Sequence, residues 1–561
     1  MNVGEAGAGP WGHERPSRLR APRRRRIDRF ELGVLAVFAG LSLWVLGLDL
    51  WQVIAHGRVW TGTDGLYVVD QLQYLAWIQD ASHHLLSGNL FVLRSTSTDY
   101  FQPAVEISAV LTALGLAPWL SLILWKPVAV VAAFFAVRAY CDRSLVGRWP
   151  LRAALVLGLF FGSFSIVDGD FTVVGDLFLG FLSWGYTFGL LAVALMAFAI
   201  LEYDRGRTAG RITWKPAVLG ATAAILHPWQ GELLIVILLG AELAMWRGTR
   251  RRPARPALPI VTVAVTGLPL LYYLILGHTD LSWQLARDAS KHGFSLWAIV
   301  LGLAPLAIPA ALAYRGRSVS FLTSATRIWP FAALAVWVLS ATELSATPLH
   351  AFNGVTIPLA VLAVRGAQRL RLHRVRRPRA VAAAAVTLMT VPATVYLLAF
   401  AANHASPQPA NANFIARDEK QALRYLAKNP EPGGVVASSY LGEAVPAETG
   451  RKTYYGDCLW SEPGCYTRIG ELNNLFGGSL PDGQAEAFIR STGARFVLAD
   501  CGSTPDLDRQ LAPLTVAVTR FGCSSVYELD TPSRPSEPLA ESAGDAALRA
   551  TGRQQRASQS S

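Results

Sequence analysis

Residues 69–91 read VDQLQYLAWIQDASHHLLSGNLF and follow the first strongly hydrophobic stretch of the chain. At helical period, the apolar face of this segment consists of Leu72, Leu75, Ile78 and Leu85. The opposite face consists of Asp70, Gln73, Trp77, Asp80 and His84. An apolar face beside a carboxylate-bearing face is typical of a helix that lies in the plane of a membrane interface. The segment therefore predicts a helix against the outer surface of a membrane, with Asp70 near its start.

The composition of the chain is that of a polytopic membrane protein. Of its 561 residues, 52% are hydrophobic and 16% are charged, whereas soluble domains carry about 25% charged residues. The net charge of +12 comes largely from short Arg clusters between apolar stretches, as expected of cytoplasmic loops. This distribution argues against a nucleic-acid target. Because there is no Walker A motif and no GxGxxG motif that opens a cytoplasmic helix, nucleotide hydrolysis is not indicated either.

Eleven hydrophobic segments are candidate membrane spans, since a span needs about 20 apolar residues. They are residues 30–50, 118–140, 151–167, 177–201, 216–226, 233–246, 258–277, 295–314, 328–344, 351–364 and 380–401. Basic clusters and acidic loops alternate between them, which predicts an amino terminus inside the cytoplasm and a carboxyl-terminal part outside. We therefore expect a multi-pass protein of the plasma membrane, embedded in the lipid bilayer.

The domain organisation follows from changes in composition. Residues 1–29 predict a basic, disordered cytoplasmic leader, and residues 30–401 a transmembrane domain whose first outer loop is 51–103. Residues 402–530 alternate short apolar runs with helical patterns, which predicts a small extracytoplasmic α/β domain. Residues 531–561 are rich in Ser, Ala, Arg and Pro, which predicts a disordered tail.

Four of the five cysteines follow the last predicted span, at Cys458, Cys465, Cys501 and Cys523. An even set in an extracytoplasmic domain indicates disulfide bonds. Four cysteines allow three pairings, and closeness along the chain favours Cys458–Cys465 and Cys501–Cys523. Four free cysteines are the alternative, whereas zinc is less favoured because no CxxC pair is present.

Acidic residues cluster in the predicted outer loops, at Asp70, Asp80, Asp168, Asp170, Asp176, Asp280 and Asp288. Glycosyl transfer with inversion needs one carboxylate to deprotonate the acceptor hydroxyl and positive charge to hold the leaving phosphate. A second carboxylate can orient the acceptor or bind a hard metal ion such as Mg²⁺ or Mn²⁺. The alternative is that these residues are helix caps or ordinary solvated loop residues.

Three basic side chains lie at or inside predicted spans. His227 and His350 sit at the outer ends of short spans, and a polar residue at membrane depth is a functional hypothesis by default. Either imidazole could donate to a lipid phosphate, or it could be a packing histidine bonded to a carbonyl. Lys126 lies inside the second predicted span, where Glu106 or a phosphate is a candidate partner and snorkelling is the alternative.

The order of these motifs resembles the GT-C superfamily of polyprenyl-phosphate-dependent glycosyltransferases, which includes protein O-mannosyltransferases and lipid A aminoarabinose transferases. The first span is followed by Asp70-Gln71-Leu72-Gln73-Tyr74, an interfacial helix, Asn89-Leu90-Phe91, and Tyr100-Phe101-Gln102-Pro103. The family typically has Asp-Glu-x-x-Tyr and Lys-Pro-Pro elements there, so Gln71 and Gln102 replace its Glu and its cation. The break at His227-Pro228 and the segment around His350 resemble the family's basic-Pro turn and its basic residue near the donor phosphate.

The resemblance implies an integral membrane glycosyltransferase. Such an enzyme moves a sugar from a polyprenyl-phosphate donor to a hydroxyl of a glycan or protein acceptor on the outer face. The resemblance places Asp70 at the family's catalytic carboxylate, as general base, with Asp168 or Asp170 assisting the acceptor or a metal ion. The expected substrate-binding residues are Tyr74, Asp80, Arg94, His227 and His350.

Two other classes of protein stay open. Broken spans also occur in transporters, so a transporter or flippase for lipid-linked sugars is one alternative. The sequence shows no internal repeat, and its charges lie at the outer ends of spans rather than in their middle, which favours the transferase. A non-catalytic membrane assembly subunit with an extracytoplasmic docking domain is the other alternative, since Gln71 and Gln102 depart from the family motifs.

Overall fold

The computed structural model describes nine segments of the chain, which are residues 26–64, 67–163, 177–249, 256–290, 296–315, 320–340, 348–370, 377–404 and 412–530. The predicted tail, most of the predicted leader, and the loop that carries Asp168, Asp170 and Asp176 lie outside the described residues. The assistance expected from Asp168 or Asp170 therefore remains a prediction.

Helices make up the amino-terminal part of the chain. They are α1 (Arg29–Ser42), α2 (Trp44–His56), α3 (Val68–Ala81), α4 (Pro103–Ala113), α5 (Pro118–Ile123), α6 (Trp125–Ser144), α7 (Arg148–Phe160), α8 (Leu179–Leu182), α9 (Thr187–Thr208), α10 (Lys215–Leu226), α11 (Pro228–Thr249), α12 (Ala257–Thr279), α13 (Leu281–Ala289), α14 (Leu296–Ala311), α15 (Phe321–Ser340), α16 (Thr356–Arg369) and α17 (Pro378–His404). Short strands β1 (Val59–Trp60), β2 (Ser87–Gly88) and β3 (Thr98–Tyr100) lie between α2 and α4.

Within the described residues, seven helices are long and apolar enough to cross a membrane, and the bent pair α1–α2 is an eighth candidate span. The chain is thus a multi-pass helical membrane protein. Each of the eleven predicted segments contains a helix, but α7, α10 and α16 have only 13, 12 and 14 residues. A helix of this length rises about 20 Å, less than the roughly 30 Å hydrocarbon core. Among the described residues, length alone therefore supports up to eight spans, fewer than the eleven predicted segments.

Paired charges anchor the start of α1. Asp28 and Glu31 form a capping box, in which each side chain accepts from the backbone N–H of the other residue at 3.0 Å. This reciprocal bonding satisfies two N–H groups that the first turn leaves without helical partners. Glu31 also pairs with Arg138 of α6 at 3.1 Å, and Asp28 pairs with Arg152 of α7 at 2.9 Å. The start of α1 is therefore fixed against two neighbouring helices.

The predicted interfacial helix, which begins near Asp70, is α3, but most of this helix is buried. On the predicted polar face, Gln73, Trp77 and Asp80 are all buried. Leu85 lies outside the helix and is exposed. The expectation of a helix with one polar face open at the membrane interface was wrong, because a helix of the carboxyl-terminal part, α19 (Ser439–Thr449), packs along α3.

Residues 412–530 contain a four-stranded mixed sheet. Its elements are β4 (Phe414–Ile415), α18 (Arg417–Lys428), β5 (Val435–Ala437), α19, α20 (Cys465–Phe476), α21 (Asp482–Thr492), β6 (Phe496–Ala499), α22 (Leu507–Leu511), β7 (Thr515–Phe521) and β8 (Ser524–Leu529). The sheet order is β5-β6-β8-β7, with β5 and β6 parallel and the other pairs antiparallel. Side chains alternate along the central strands, so Val436 and Val497 join one apolar core while Val435 and Leu498 join another. Helices therefore cover both faces of the sheet.

After α17, the described chain resumes at residue 412 and pairs with the first loop. Strand β4 pairs antiparallel with β1, with Ile415 opposite Val59. The neighbouring Asn413 is fully buried, donates to the Asp49 carboxylate at 2.8 Å and bonds the Thr63 hydroxyl. These bonds link the carboxyl-terminal part to the base of the loop that carries α3.

Both predicted disulfides, Cys458–Cys465 and Cys501–Cys523, are present, with Cα atoms 5.1 and 4.7 Å apart. A disulfide stabilises mainly by restricting the unfolded chain, and the restriction grows with the length of the closed loop. We expect the double substitution Cys501→Ser/Cys523→Ser, which opens the longer loop, to lower the stability of this part by about 3 kcal/mol. Thermal unfolding of the purified protein measures the loss. An unchanged midpoint would show that this bond does not contribute to stability.

Candidate active site

Asp70 lies in the first turn of α3 and is half-buried. The N-cap of this helix is Tyr67, which makes no side-chain capping bond. Asp70 is therefore not the N-cap of its own helix, although that was the simplest alternative to a catalytic role. Its position in the first turn lets the helix dipole favour the ionised carboxylate.

Two ionisable side chains lie within electrostatic reach of Asp70. Burial, and then the charge of Asp70, raise the pKa of the Tyr74 phenol one turn along α3. Burial, and then the charge of Asp70, also raise the pKa of Asp457 to about 7. Asp457 belongs to the carboxyl-terminal part, so a carboxylate from each half of the chain lies within electrostatic reach of the other. Nearby, burial and the charge of Asp457 raise the pKa of Glu443 on α19.

A second polar cluster consists of Tyr186, His227 and His350. The Tyr186 hydroxyl is 3.1 Å from Nε2 of His227 and 3.0 Å from Nε2 of His350. The Nδ1 atom of His227 bonds Oε1 of Gln230, whose amide nitrogen is 3.4 Å from the His350 carbonyl. A neutral imidazole donates from one nitrogen and accepts at the other. With His227 donating to Gln230, Tyr186 donates to His227 and His350 donates to Tyr186.

This histidine–tyrosine cluster lies beside the start of α3. The Tyr67 and Tyr186 rings are 5.7 Å apart between centroids. Gly185 is in close contact with α3, because its carbonyl lies 3.4 Å from the Gln71 amide nitrogen and a Cβ added there would lie 2.8 Å from that atom. The sequence predicted roles for His227 and His350 separately, and the structure brings them together through Tyr186, which no sequence pattern had indicated.

The two glutamines that replace charged residues of the family motifs connect the site to its surroundings. The side-chain oxygen of Gln71, Oε1, accepts from the Asp64 backbone N–H at 2.7 Å. Gln102 donates to the Leu226 carbonyl at 3.3 Å, next to His227. Neutral hydrogen bonds therefore tie α3 to the preceding loop through Gln71, and the start of α4 to the end of α10 through Gln102.

A small cavity opens beside these residues. Its polar lining includes Asp64, Gln71, Tyr74, Lys126 and Tyr186. Lys126 pairs here with Asp64, so the carboxylate partner of this lysine is Asp64 rather than Glu106. Asp64 and Lys126 are 5% and 3% exposed, which makes this a buried ion pair. Sequence reasoning missed Asp64, which precedes α3 without a recognisable motif.

Asp80 and Arg94 lie apart from this cluster. Asp80 is ten residues beyond Asp70, or about 15 Å along α3 at roughly 1.5 Å per residue. One of its oxygens is 2.9 Å from His84 Nδ1, and the other accepts from the Gly88 N–H at 2.8 Å. Arg94 donates to the Glu462 carbonyl at 3.0 Å, and burial and the neighbouring Arg468 lower its pKa. Asp80 thus holds its own loop, and substrate contact by either residue stays a prediction.

The structure also bears on the predicted metal ion. In the part of the chain that the structure describes, Asp418, Cys501 and Cys523 bring three ligand-type atoms together. The two cysteines form a disulfide, and metal ligation needs thiolates. This group therefore does not hold a metal ion as it stands, and Mg²⁺ or Mn²⁺ at the active site remains an expectation.

No protein-family model and no curated protein sequence matches the chain. The solved structures that it resembles include the oligosaccharyltransferase AglB of Archaeoglobus fulgidus in complex with an inhibitory peptide and dolichol-phosphate, at 13% identity over 87% of this chain and 72% of that chain, with a TM-score of 0.50. The same archaeal oligosaccharyltransferase in complex with Zn and sulfate matches at 15% identity, over 86% and 71% of the two chains, again with a TM-score of 0.50. ArnT from Cupriavidus metallidurans, bound to undecaprenyl phosphate, matches at 12% identity over 90% and 99%, with a TM-score of 0.49.

AglB is a GT-C glycosyltransferase. The likeness to AglB extends over both the helical part and the sheet-containing part of the chain. At this level of identity the likeness concerns the fold, and the fold implied by the GT-C resemblance is confirmed.

Proposed function

We propose that this chain, which has the fold of a GT-C glycosyltransferase, is itself a membrane glycosyltransferase. It takes a sugar from a polyprenyl-phosphate donor and passes it to a hydroxyl acceptor on the outer face of the membrane. The observation that carries the proposal is the position of Asp70, whose half-buried carboxylate lies beside Tyr74 and Asp457 at the helix start where the histidine–tyrosine cluster also packs. Two disulfides in the carboxyl-terminal part support an extracytoplasmic location for that part.

In the proposed reaction, Asp70 is the general base. The acceptor oxygen attacks the anomeric carbon while its proton passes to the Asp70 carboxylate. The bond between the anomeric carbon and the phosphate oxygen breaks, and the electron pair leaves with the polyprenyl phosphate. A positioned base of this kind contributes typically 10²–10⁴-fold to the rate. If Asp168 or Asp170 binds a divalent metal ion, that ion would supply charge stabilisation at the phosphate.

The histidine–tyrosine cluster and Lys126 are the donor side of the proposed site. A leaving phosphate is stabilised by hydrogen-bond donors and cations that are already in place before reaction. His350 donates to Tyr186, and Lys126 lines the adjacent cavity. The AglB structure that this fold resembles contains dolichol-phosphate, which supports a polyprenyl phosphate as the ligand here.

Replacing Tyr186 by Phe tests the donor site. The change removes the hydroxyl that connects both histidines while it keeps the ring, so we expect about 10-fold weaker donor binding, equivalent to about 1.4 kcal/mol. Binding of a polyprenyl phosphate to purified protein measures the effect, and Tyr203→Phe is the matched control. Tyr203 lies on α9, whose N-cap is Tyr186, about 25 Å away at roughly 1.5 Å per residue, and it donates to Glu242 at 3.0 Å. Equal affinity of wild type and Tyr186→Phe would argue against this assignment.

A further inference from the structure

The loop between α19 and α20 is pressed onto the first outer loop. The Ser461 hydroxyl donates to the Phe91 carbonyl at 3.0 Å, and the Asn89 side-chain amide donates to the Trp460 carbonyl at 2.8 Å. Gly456 packs so closely against the Phe91 ring that a Cβ at this position would clash with it. These contacts fix the backbone on both sides of Asp457 against the segment that follows α3.

Asp457 is only 6% exposed, yet its carboxylate is only partly bonded. One oxygen, Oδ1, accepts from the Leu459 N–H at 2.8 Å, as is usual in an Asx turn. The other oxygen, Oδ2, has no hydrogen-bond partner among the residues that the structure describes. Oδ2 retains some contact with solvent, so a ligand hydroxyl can reach it.

We propose that Asp457 holds the acceptor hydroxyl against Asp70, so that the carboxyl-terminal domain completes the active site of the transmembrane domain. The inference rests on the function proposed above and adds a substrate-positioning residue to it. Asp70 removes the acceptor proton, while Asp457 contacts the acceptor through Oδ2 and keeps its own proton throughout the transfer.

The charges around Asp457 explain why it can act as a hydrogen-bond donor. The titratable groups that face it are Asp70 on α3, Glu443 on α19 and Tyr455 in its own loop. Burial and the charge of Asp70 raise its pKa to about 7, far above the usual value near 4. At pH 6 the carboxyl group is mostly protonated and donates a hydrogen bond, whereas at pH 9 it is ionised and adds a second negative charge beside Asp70.

The same geometry limits the class of acceptor. In the proposed site the acceptor hydroxyl lies beside the ionised carboxylate of Asp70, whereas the raised pKa values of Asp457 and Glu443 favour their neutral forms. An acceptor with a phosphate or carboxylate next to its reactive hydroxyl would be repelled by the negative charge of the site, and such repulsion excludes it as a substrate. The acceptor group is therefore a neutral, hydroxyl-rich one, as in an uncharged sugar residue.

The experiment compares pH profiles of sugar transfer for the full-length wild type, Asp457→Asn, Asp457→Ala and Asp500→Asn. Asp500 is the matched control, because it is also buried in the carboxyl-terminal domain and its Oδ1 accepts from the Gly502 N–H at 2.9 Å in the same kind of turn. We expect the activity of the wild type to fall as pH rises through about 7. The Asp457→Asn side chain is a neutral hydrogen-bond donor at every pH, so we expect this variant not to lose activity above pH 7 and to be more active than the wild type at pH 9. We expect Asp457→Ala to be at least 10-fold less active from pH 6 to 9, and Asp500→Asn to keep the wild-type profile shape.

An Asp457→Asn profile that falls above pH 7 like the wild type overturns the inference. So does an Asp457→Ala variant with wild-type activity. If thermal unfolding shows that Asp457→Ala does not fold, the comparison of the wild type with Asp457→Asn still tests the inference. The proposed function stands in all these cases if Asp70→Asn is inactive, and both proposals fail together if the wild type transfers no sugar.

Discussion

Replacing Asp70 by Asn is expected to lower sugar transfer by about 100- to 10,000-fold, the contribution of a positioned general base. The amide keeps the size of the side chain but cannot take up the acceptor proton. Since Tyr67 rather than Asp70 is the N-cap of α3, the helix does not depend on this carboxylate for its first turn. Initial rates of transfer from a polyprenyl-phosphate sugar measure the effect.

The control for this prediction is Asp280→Asn. Asp280 is the N-cap of α13, and its carboxylate accepts from the Trp283 N–H at 2.9 Å. An Asn can replace Asp as an N-cap, so this variant should keep its activity while it makes the same chemical change in another outer-side loop. An Asp70→Asn protein that is folded and as active as the Asp280→Asn protein would remove Asp70 from the mechanism.

Replacing Lys126 by Met is expected to have the second large effect, this time on stability. The substitution leaves the Asp64 carboxylate buried without its cation, and breaking a buried ion pair in this way costs about 3–5 kcal/mol. The double variant Asp64→Asn/Lys126→Met removes both charges, so we expect it to recover most of the loss. Thermal unfolding of the single and double variants in detergent measures this coupling.

Additive effects of the two substitutions would mean that Asp64 and Lys126 do not depend on each other. Donor binding by the same variants gives a separate result. Because Lys126 also lines the cavity, we expect the double variant to regain stability while donor binding stays weak.

Long-range features of the fold were the hardest to predict from the sequence. Every predicted span contains a helix, because a long apolar run can be satisfied in a membrane only by internal backbone bonds. The exposure of α3 was predicted wrongly, since its burial depends on α19, which follows it by more than 300 residues. The disulfide pairing followed from short separations along the chain, which is local information.

The strands of the sheet also differ in how clearly the local sequence indicates them. Strands β5, β6 and β7, at Val435–Ala437, Phe496–Ala499 and Thr515–Phe521, contain short apolar runs of the kind that predicted an α/β domain. Strand β8 has no such run, because SSVYEL contains few strongly apolar residues, although it pairs with both β6 and β7.

The candidate site could be predicted only in part. Asp70, His227 and His350 stood out as polar residues at the ends of apolar segments. Tyr186 did not, because it lies inside the predicted span 177–201, where an aromatic side chain is an ordinary part of an apolar run. Asp457 was also missed, since nothing in its local sequence indicates contact with α3, and only the packing of the two domains brings it to Asp70.

The most direct test of the proposed function follows the fate of the donor in sealed proteoliposomes. Purified protein is reconstituted with a polyprenyl-phosphate donor that carries a labelled sugar, and a neutral hydroxyl-rich glycan is added as acceptor. We expect the labelled sugar to move to the acceptor and free polyprenyl phosphate to accumulate, in a reaction that Asp70→Asn stops. Movement of the intact labelled lipid between leaflets, without loss of its sugar, would instead identify a flippase and contradict the account.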